Sequence, residues 1–286
     1  MNTTDNDPNP TPPSDAQTKP PFWSASREVL AALGVWLGST IGTLVIPSVL
    51  IVIYAALFDR ELLSNFGLIM TSKGAALILL GGTFIVQILS VGLCWFVITQ
   101  NGRKPFWSSL GWGWHSQFKW IHAVGLAILM LGVGIVLEKI LPHRETDLER
   151  LLKISFSVRV AVALLATIGA PLAEEIIYRG VLYSAFVRVM GRWPGVALVT
   201  FLFALVHVPQ YIESVAALTA ILLLSAVLTL LRAWTRSLLP CVATHFVFNG
   251  IQGVLILLSP PAASPSAPPA PALISFLLKF SYVFQN

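Results

Sequence analysis

The sequence predicts an all-α fold, a polytopic transmembrane helical bundle of about seven to eight spans. Only 11% of the residues are charged, whereas soluble domains carry about 25%. The mean hydropathy is +0.78. A bilayer-spanning helix needs about 20 mostly apolar residues. Seven segments meet that condition, at roughly 31–57, 75–99, 120–141, 157–178, 194–208, 214–232 and 237–258.

The two ends of the chain differ from the spans. Residues 1–22 are polar and Pro-rich, which predicts a disordered tail. Residues 257–286 form a Pro/Ala-rich linker and a short apolar segment. The apolar part, 273–284, is too short to cross a bilayer alone, so we expect it to be interfacial or part of an eighth short helix. Between the ends we distinguish residues 23–149, with helices and interfacial loops, from residues 150–256.

Two loops carry patterns typical of a membrane interface. The segment Phe106–Trp114 holds three tryptophans next to Arg103 and Lys104, as interfacial aromatic belts do. In residues 145–154, charged and apolar side chains alternate. That pattern predicts an amphipathic helix lying at the interface. Both loops are candidates for gating the lateral entry of a substrate.

The net charge of +5 does not indicate nucleic acid, because the basic residues sit in short loops between apolar segments, where they set orientation. Most of them lie in the even-numbered loops, with Arg232 and Arg236 in the sixth, or before the first span, which favours a cytoplasmic N-terminus. The third loop, with Lys139, Arg144, Arg150 and Lys153, argues against it. We expect an integral protein of the cell membrane, with the lipid bilayer as a partner.

Ionisable side chains are costly inside a bilayer, and here they cluster in three spans. Glu175 and Arg179 in the fourth span are four residues apart, so they share a helix face and form a structural ion pair. Glu174 points about 100° away from Glu175. It therefore needs partners from other helices. The fifth span offers His207 as such a partner.

The seventh span contains His245 and Asn249, again four residues apart on one face. Together with Glu174 and His207 they predict one shared polar cavity. In it Glu174 serves as general base on a water, and His207 holds that water or shuttles its proton. His245 and Asn249 donate hydrogen bonds to the oxyanion of the attacked carbonyl.

The same residues suit a metal. Glu174, His207 and His245 offer one oxygen and two nitrogen ligands, a set that zinc accepts and uses to activate water. The HExxH signature of soluble zinc proteases is absent from the sequence. The sequence therefore leaves a Glu-activated water and a divalent metal, zinc first, both open.

Three motifs on successive apolar helices resemble the CPBP family of CAAX proteases and bacteriocin-processing enzymes, also called Abi. Glu174, Glu175 and Arg179 match EExxxR; Phe203 and His207 match FxxxH; His245 and Asn249 match HxxxN. The resemblance covers about residues 150–256. It implies a CPBP-like catalytic transmembrane domain and an intramembrane endopeptidase. Members of the family are usually described as metalloproteases, so the resemblance also implies that type.

The resemblance assigns roles to these residues. Glu174 is implied as the catalytic acid/base with both histidines beside it, and Phe203 is expected to pack against the site. The substrates would be membrane proteins or lipidated peptides, with prenylated CAAX-type peptides as one candidate class. A non-catalytic scaffold and a transporter or proton relay are the alternatives. The absence of an internal repeat speaks against a transporter.

Overall fold

The computed structural model describes residues 22–142 and 144–259. The predicted tail, except Phe22, and the apolar segment 273–284 lie outside the described residues, as does His143. Within the described ranges the chain is helical and forms no extended strand. Phe22 already belongs to the first helix rather than to the tail.

The α-helices, in chain order, are α1 (Phe22–Phe58), α2 (Glu61–Ser64), α3 (Lys73–Thr99), α4 (Phe106–Ser109), α5 (Trp120–Ile140), α6 (Asp147–Ile154), α7 (Phe156–Leu164), α8 (Ala170–Glu175), α9 (Tyr183–Met190), α10 (Arg192–Tyr211), α11 (Val215–Thr235) and α12 (Leu239–Leu258). A 3-10 turn covers Phe66–Met70. Two π-helical segments, Leu165–Gly169 and Ile176–Leu182, join α7, α8 and α9 into one continuous helix.

Seven of the described helices are long and apolar enough to cross a membrane, which confirms the predicted bundle. The fourth span was predicted to end at residue 178, but it continues to Met190. A charged residue such as Arg179 would favour ending the span there, but Glu175 neutralises the charge and the helix continues. The fifth span is longer than predicted, Arg192–Tyr211, with Pro194 in its first turn and Pro209 near its end.

The spans pack through small residues as well as large ones. A Cβ on Gly82 of α3 would lie 2.8 Å from the Cα of Pro47 in α1. This contact shows how closely the two helix backbones approach, as small residues allow in membranes. The largest buried cluster surrounds the middle of the fourth span and includes Ile176, Leu182 and Phe203. That cluster places the fourth span at the centre of the bundle.

The predicted amphipathic segment forms α6. Thr146 caps it: its hydroxyl accepts from the Glu149 amide, and the Glu149 carboxylate accepts from the Thr146 amide. Leu151 and Leu152 are buried against α7 and α12, while Lys153 pairs with Glu145 on the polar side. The helix and its two-sided character agree with the prediction.

The aromatic loop, Phe106–Trp114, is packed into the bundle and does not only lie at its surface, as an interfacial aromatic belt would. The rings of Trp107 and Trp112 are in contact at an interplanar angle of 56°, with centroids 4.6 Å apart, and Trp107 is half exposed. Leu110, however, is fully buried in the central cluster beside Ile176 and Leu238. The Leu238 amide donates to the carbonyl of Gly111. The loop therefore packs directly against the start of α12.

Candidate active site

The polar residues of the fourth span lie between its two π-helical segments and within the second of them. A π segment adds a residue to a helical turn and is found preferentially at functional sites. Glu174 and Glu175 end the short helix α8, and Arg179 lies in the π segment that follows. The two carboxylates differ in exposure: the side chain of Glu174 is 24% exposed and that of Glu175 is 0%. Only Glu174 can therefore meet a substrate directly.

Glu175 and Arg179 form a fully buried ion pair, with Nη1 of Arg179 2.9 Å from Oε1 of Glu175. The other donors of Arg179 are used on α11. Its Nε donates to Thr229 Oγ1 at 3.2 Å, and its Nη2 donates to the hydroxyl and carbonyl of Ser225. Burial of such a charge is tolerated because every donor group is directed at an acceptor.

Phe203 of α10 lies over this ion pair. Its ring centroid is 4.8 Å from the Arg179 guanidinium carbon and 4.9 Å from the Tyr178 ring centroid. The rings of His207 and His245 lie 4.7 and 6.3 Å from it. Phe203 is buried and packs in the middle of the predicted site residues, separating the two histidines.

His245 of α12 connects the two carboxylates. Its Nδ1 lies 2.8 Å from Oε1 of Glu175, the same oxygen that Arg179 contacts. Its Nε2 lies 3.9 Å from Oε2 of Glu174, which is too long for a direct hydrogen bond. A carboxylate bonded to one ring nitrogen fixes the orientation of the other. The bond to Glu175 therefore aims Nε2 of His245 at Glu174.

His207 is placed less centrally than the sequence predicted. Its Nδ1 lies 2.7 Å from the carbonyl oxygen of Phe203, one turn earlier in α10. Since that oxygen is an acceptor only, Nδ1 carries the proton and Nε2 is left as an acceptor in the neutral ring. In the described part of the chain no hydrogen bond joins His207 to Glu174, His245 or Asn249.

Asn249 faces the first π segment. Its Nδ2 donates to the carbonyl of Ala166 at 2.8 Å, and the Thr167 hydroxyl donates to the Asn249 carbonyl at 3.4 Å. One of its two amide hydrogens is thus used to hold the π segment. The predicted convergence of four polar groups is therefore partial: Glu174 and His245 face each other, while His207 and Asn249 are bonded to main-chain carbonyls.

The described residues contain no group of three or more His, Cys, Asp or Glu side chains placed to hold a metal ion. Glu174, His207 and His245 are thus not arranged as a three-ligand zinc site, although the bonds to Nδ1 leave Nε2 of each histidine free to bind another group. This donor arrangement does not fit the predicted metal. The participation of zinc stays a prediction, and no chemical step is derived through it.

Sequence reasoning missed the residues that support the site from α11. Ser225 and Thr229 are four residues apart on one face and are fully buried against Arg179. Small hydroxyls spaced at i,i+4 in an apolar helix were the available signal. The charge of Arg179 requires acceptors, and these hydroxyls supply them.

Arg232 was assigned to the sixth loop, but the structure buries it in α11 with 6% exposure. Its guanidinium donates to three main-chain carbonyls: those of Arg179, Leu110 and Arg236. The arginine thereby ties the aromatic loop to the π segment that carries Arg179. An arginine at the end of an apolar span gave no sequence signal for this inward orientation.

A comparison with protein-family models now bears on these residues. The model described as type II CAAX prenyl endopeptidase Rce1-like matches residues 156–251. The matched segment is similar to this family. It runs from the start of α7 into α12 and contains every residue of the predicted site, in agreement with the resemblance stated from the motifs.

The Rce1-like match supports an intramembrane endopeptidase in general terms. Together with seven apolar helices it makes the chain an integral membrane protein. No curated protein and no solved structure matches the chain.

Proposed function

We propose that the protein is an intramembrane endopeptidase in which Glu174 activates the attacking water. The observation that carries the proposal is the pairing of a partly exposed carboxylate, Glu174, with the Nε2 of His245, which the fully buried Glu175 orients. A general base must be able to reach the water it deprotonates. Glu174 meets that condition, whereas Glu175 is enclosed and already bonded.

The 3.9 Å between Glu174 Oε2 and His245 Nε2 suits a single water that bridges the two groups. With the Nδ1 proton directed at Glu175, Nε2 is an acceptor. A bridging water donates one hydrogen to each acceptor, and an oxygen lone pair remains to attack the peptide carbonyl carbon. Glu174 takes a proton from the water as the C–O bond forms. It then returns this proton to the leaving amine as the C–N bond breaks.

The developing oxyanion needs donors. Asn249 has one amide hydrogen beyond the one bonded to Ala166, and we assign it that role. Neutral His207, with its proton directed at Phe203, has an acceptor nitrogen to offer and so suits the holding of water or the relay of a proton. This assignment needs no metal ligand, although a metal-bound water is the alternative form of the same hydrolysis.

The substrates we propose are membrane proteins or lipidated peptides, because the proposed site lies within the apolar bundle. Prenylated CAAX-type peptides are one class among them, as the name of the matched family suggests. We further propose the plasma membrane and a cytoplasmic N-terminus. The basic residues before α1 and after α3 support that orientation.

The proposed function is tested by identifying the new protein termini that cleavage produces in cell membranes. Cells carrying the wild-type chain, Glu174→Gln or Glu213→Gln are compared at equal expression. Glu213 lies in the short loop before α11, where it pairs with Arg144, so its variant is the matched control. We expect termini that are present with the wild type and Glu213→Gln and absent with Glu174→Gln. Identical termini in all three membranes, with the variants folded, would favour a non-catalytic scaffold.

A further inference from the structure

A cavity of about 400 Å³ lies at the end of the bundle where α1 begins and α3 ends. Its walls come from these two helices, from the loop that contains α4, and from the part of the fourth span between Gly180 and Arg188. None of the residues assigned to hydrolysis lines it. The cavity is therefore separate from the site formed by Glu174 and His245.

The rim of this cavity is basic. Arg27, Lys104 and Arg188 carry three positive charges, against one negative charge on Glu28. Arg188 and Glu28 form an ion pair at 2.5 Å. Across residues 22–142 and 144–259, no carboxylate pairs with Arg27 or Lys104. Within the part of the chain that the structure describes, the cavity thus presents two cations that have no carboxylate partner.

The interior of the cavity combines neutral donors with an apolar wall. Ser109 and Ser184 line it and supply two hydroxyl groups. Val97, Ile98 and Val181 form the apolar side. Hydroxyl and cationic donors next to an apolar wall match a molecule with an anionic head and a hydrocarbon body.

We propose that this cavity binds the head group of an anionic phospholipid. The phosphate oxygens would accept from Arg27, Lys104 and the serine hydroxyls, and the glycerol backbone would lie along the apolar wall. The predicted orientation places this end of the bundle at the cytoplasmic leaflet, where anionic lipids concentrate and attract basic residues. The floor of the cavity, Gly180 and Val181, directly follows Arg179. A bound lipid would therefore rest on the helix that holds the buried ion pair.

Native mass spectrometry of the purified full-length chain tests the proposal. Phosphatidylglycerol, phosphatidylcholine or soluble glycerol 3-phosphate is added to the protein in detergent, and the bound fraction is measured. The test variant is Arg27→Gln/Lys104→Gln. The control is Arg60→Gln/Arg144→Gln, which removes two exposed charges at the opposite end of the bundle. Unchanged circular dichroism and thermal unfolding establish that both variants fold.

We expect the wild type and the control to retain phosphatidylglycerol in preference to phosphatidylcholine, and the test variant to retain at least about tenfold less, since each basic residue near an anionic surface contributes about fivefold. Equal retention by both double variants, or no preference over phosphatidylcholine, would overturn the proposal. Binding of glycerol 3-phosphate with the same dependence on Arg27 and Lys104 would overturn the lipid assignment and make the ligand a soluble phosphate. Every arm measures binding, so its result is independent of whether the chain is a protease.

Discussion

The Nδ1 atom of His245 lies 2.8 Å from Oε1 of Glu175, and that same oxygen lies 2.9 Å from Nη1 of Arg179. Glu175 therefore joins His245 on α12 to Arg179, which is anchored on α11. Glu174, its neighbour in sequence, has no part in this network and faces the other nitrogen of His245. In the proposed mechanism the two adjacent glutamates have different tasks, one structural and one chemical.

The first prediction separates these two tasks by stability. Glu175→Gln leaves the fully buried Arg179 without its carboxylate, and breaking a buried pair costs about 3–5 kcal/mol. Glu174→Gln, at a partly exposed position, should change stability by less than about 1 kcal/mol. Unfolding of each purified variant by a denaturing detergent measures the difference. Equal destabilisation by both would show that the glutamates are not divided in this way.

The second prediction concerns Asn249. Asn249→Ala removes the donor to Ala166 and leaves a half-buried carbonyl in the first π segment, a loss of about 1–3 kcal/mol. It also removes the proposed oxyanion donor, which should lower kcat by about 10²–10³. Cleavage of an identified substrate measures kcat and KM separately. A change in KM alone would contradict the oxyanion role but leave the structural role intact.

The third prediction concerns Arg232 as a positioning residue. Gly111 has φ +69°, and a Cβ there would lie 2.9 Å from Nη1 of Arg232. Gly111→Ala should therefore displace the guanidinium and destabilise the fold by about 1–3 kcal/mol. Gly191→Ala is the matched control, because Gly191 also has a positive φ, +84°, but an added Cβ there meets nothing within 4 Å. Indistinguishable thermal unfolding of the two variants would contradict the account of this contact.

The fourth prediction is a pH dependence of α6. Burial raises the pKa of Glu149 to about 7, above its ordinary value. Burial favours the protonated carboxyl of Glu149 in the folded state. The packing of α6 against the bundle is therefore strongest at a pH well below the pKa that Glu149 has in the unfolded chain. It weakens as the pH rises from the unfolded pKa, near 4.5, through the folded pKa of about 7. Hydrogen exchange of the α6 amides, divided by the intrinsic exchange rate at each pH, should therefore accelerate between about pH 4.5 and pH 7 and change little above that range.

Glu149→Gln supplies the control for that measurement, because glutamine keeps the side-chain oxygen near the Thr146 amide but does not titrate. Its α6 amides should show only the intrinsic pH dependence of exchange. If the wild type and the variant show the same profile, Glu149 does not control the docking of α6.

The fifth prediction follows from the donor geometry at the site. If Glu174 activates the water without a metal, as we propose, cleavage should survive exhaustive dialysis against a chelator. Elemental analysis of the active protein should find substoichiometric zinc. Loss of activity on dialysis, with recovery on addition of zinc, would show that the ligands rearrange around a metal.

The bundle and the identity of the buried polar residues were predictable from the sequence, because apolar segments of spanning length and rare intramembrane charges are local signals. The i,i+4 spacing of Glu175 and Arg179 was sufficient to predict their ion pair. The two π segments were not predictable, since nothing in the residue composition of Leu165–Gly169 or Ile176–Leu182 distinguishes these segments from ordinary α-helix.

Contacts between helices were the other element that the sequence did not reveal. The register of α12 against the fourth span decides that His245 bonds to Glu175 and that Asn249 reaches Ala166. The register depends on packing along the whole helix rather than on motif spacing. For the same reason Arg232, predicted to lie in a loop, turned out to be bonded to three main-chain carbonyls.

The central claim is that Glu174 is the base and Glu175 the residue that orients His245. Its most direct test is cleavage of an identified substrate by purified wild type and Glu174→Gln, in lipid, with thermal unfolding measured on the same samples. The account predicts that Glu174→Gln unfolds at the wild-type temperature and cleaves at least about 100-fold more slowly. Cleavage by a folded Glu174→Gln at the wild-type rate would contradict the account.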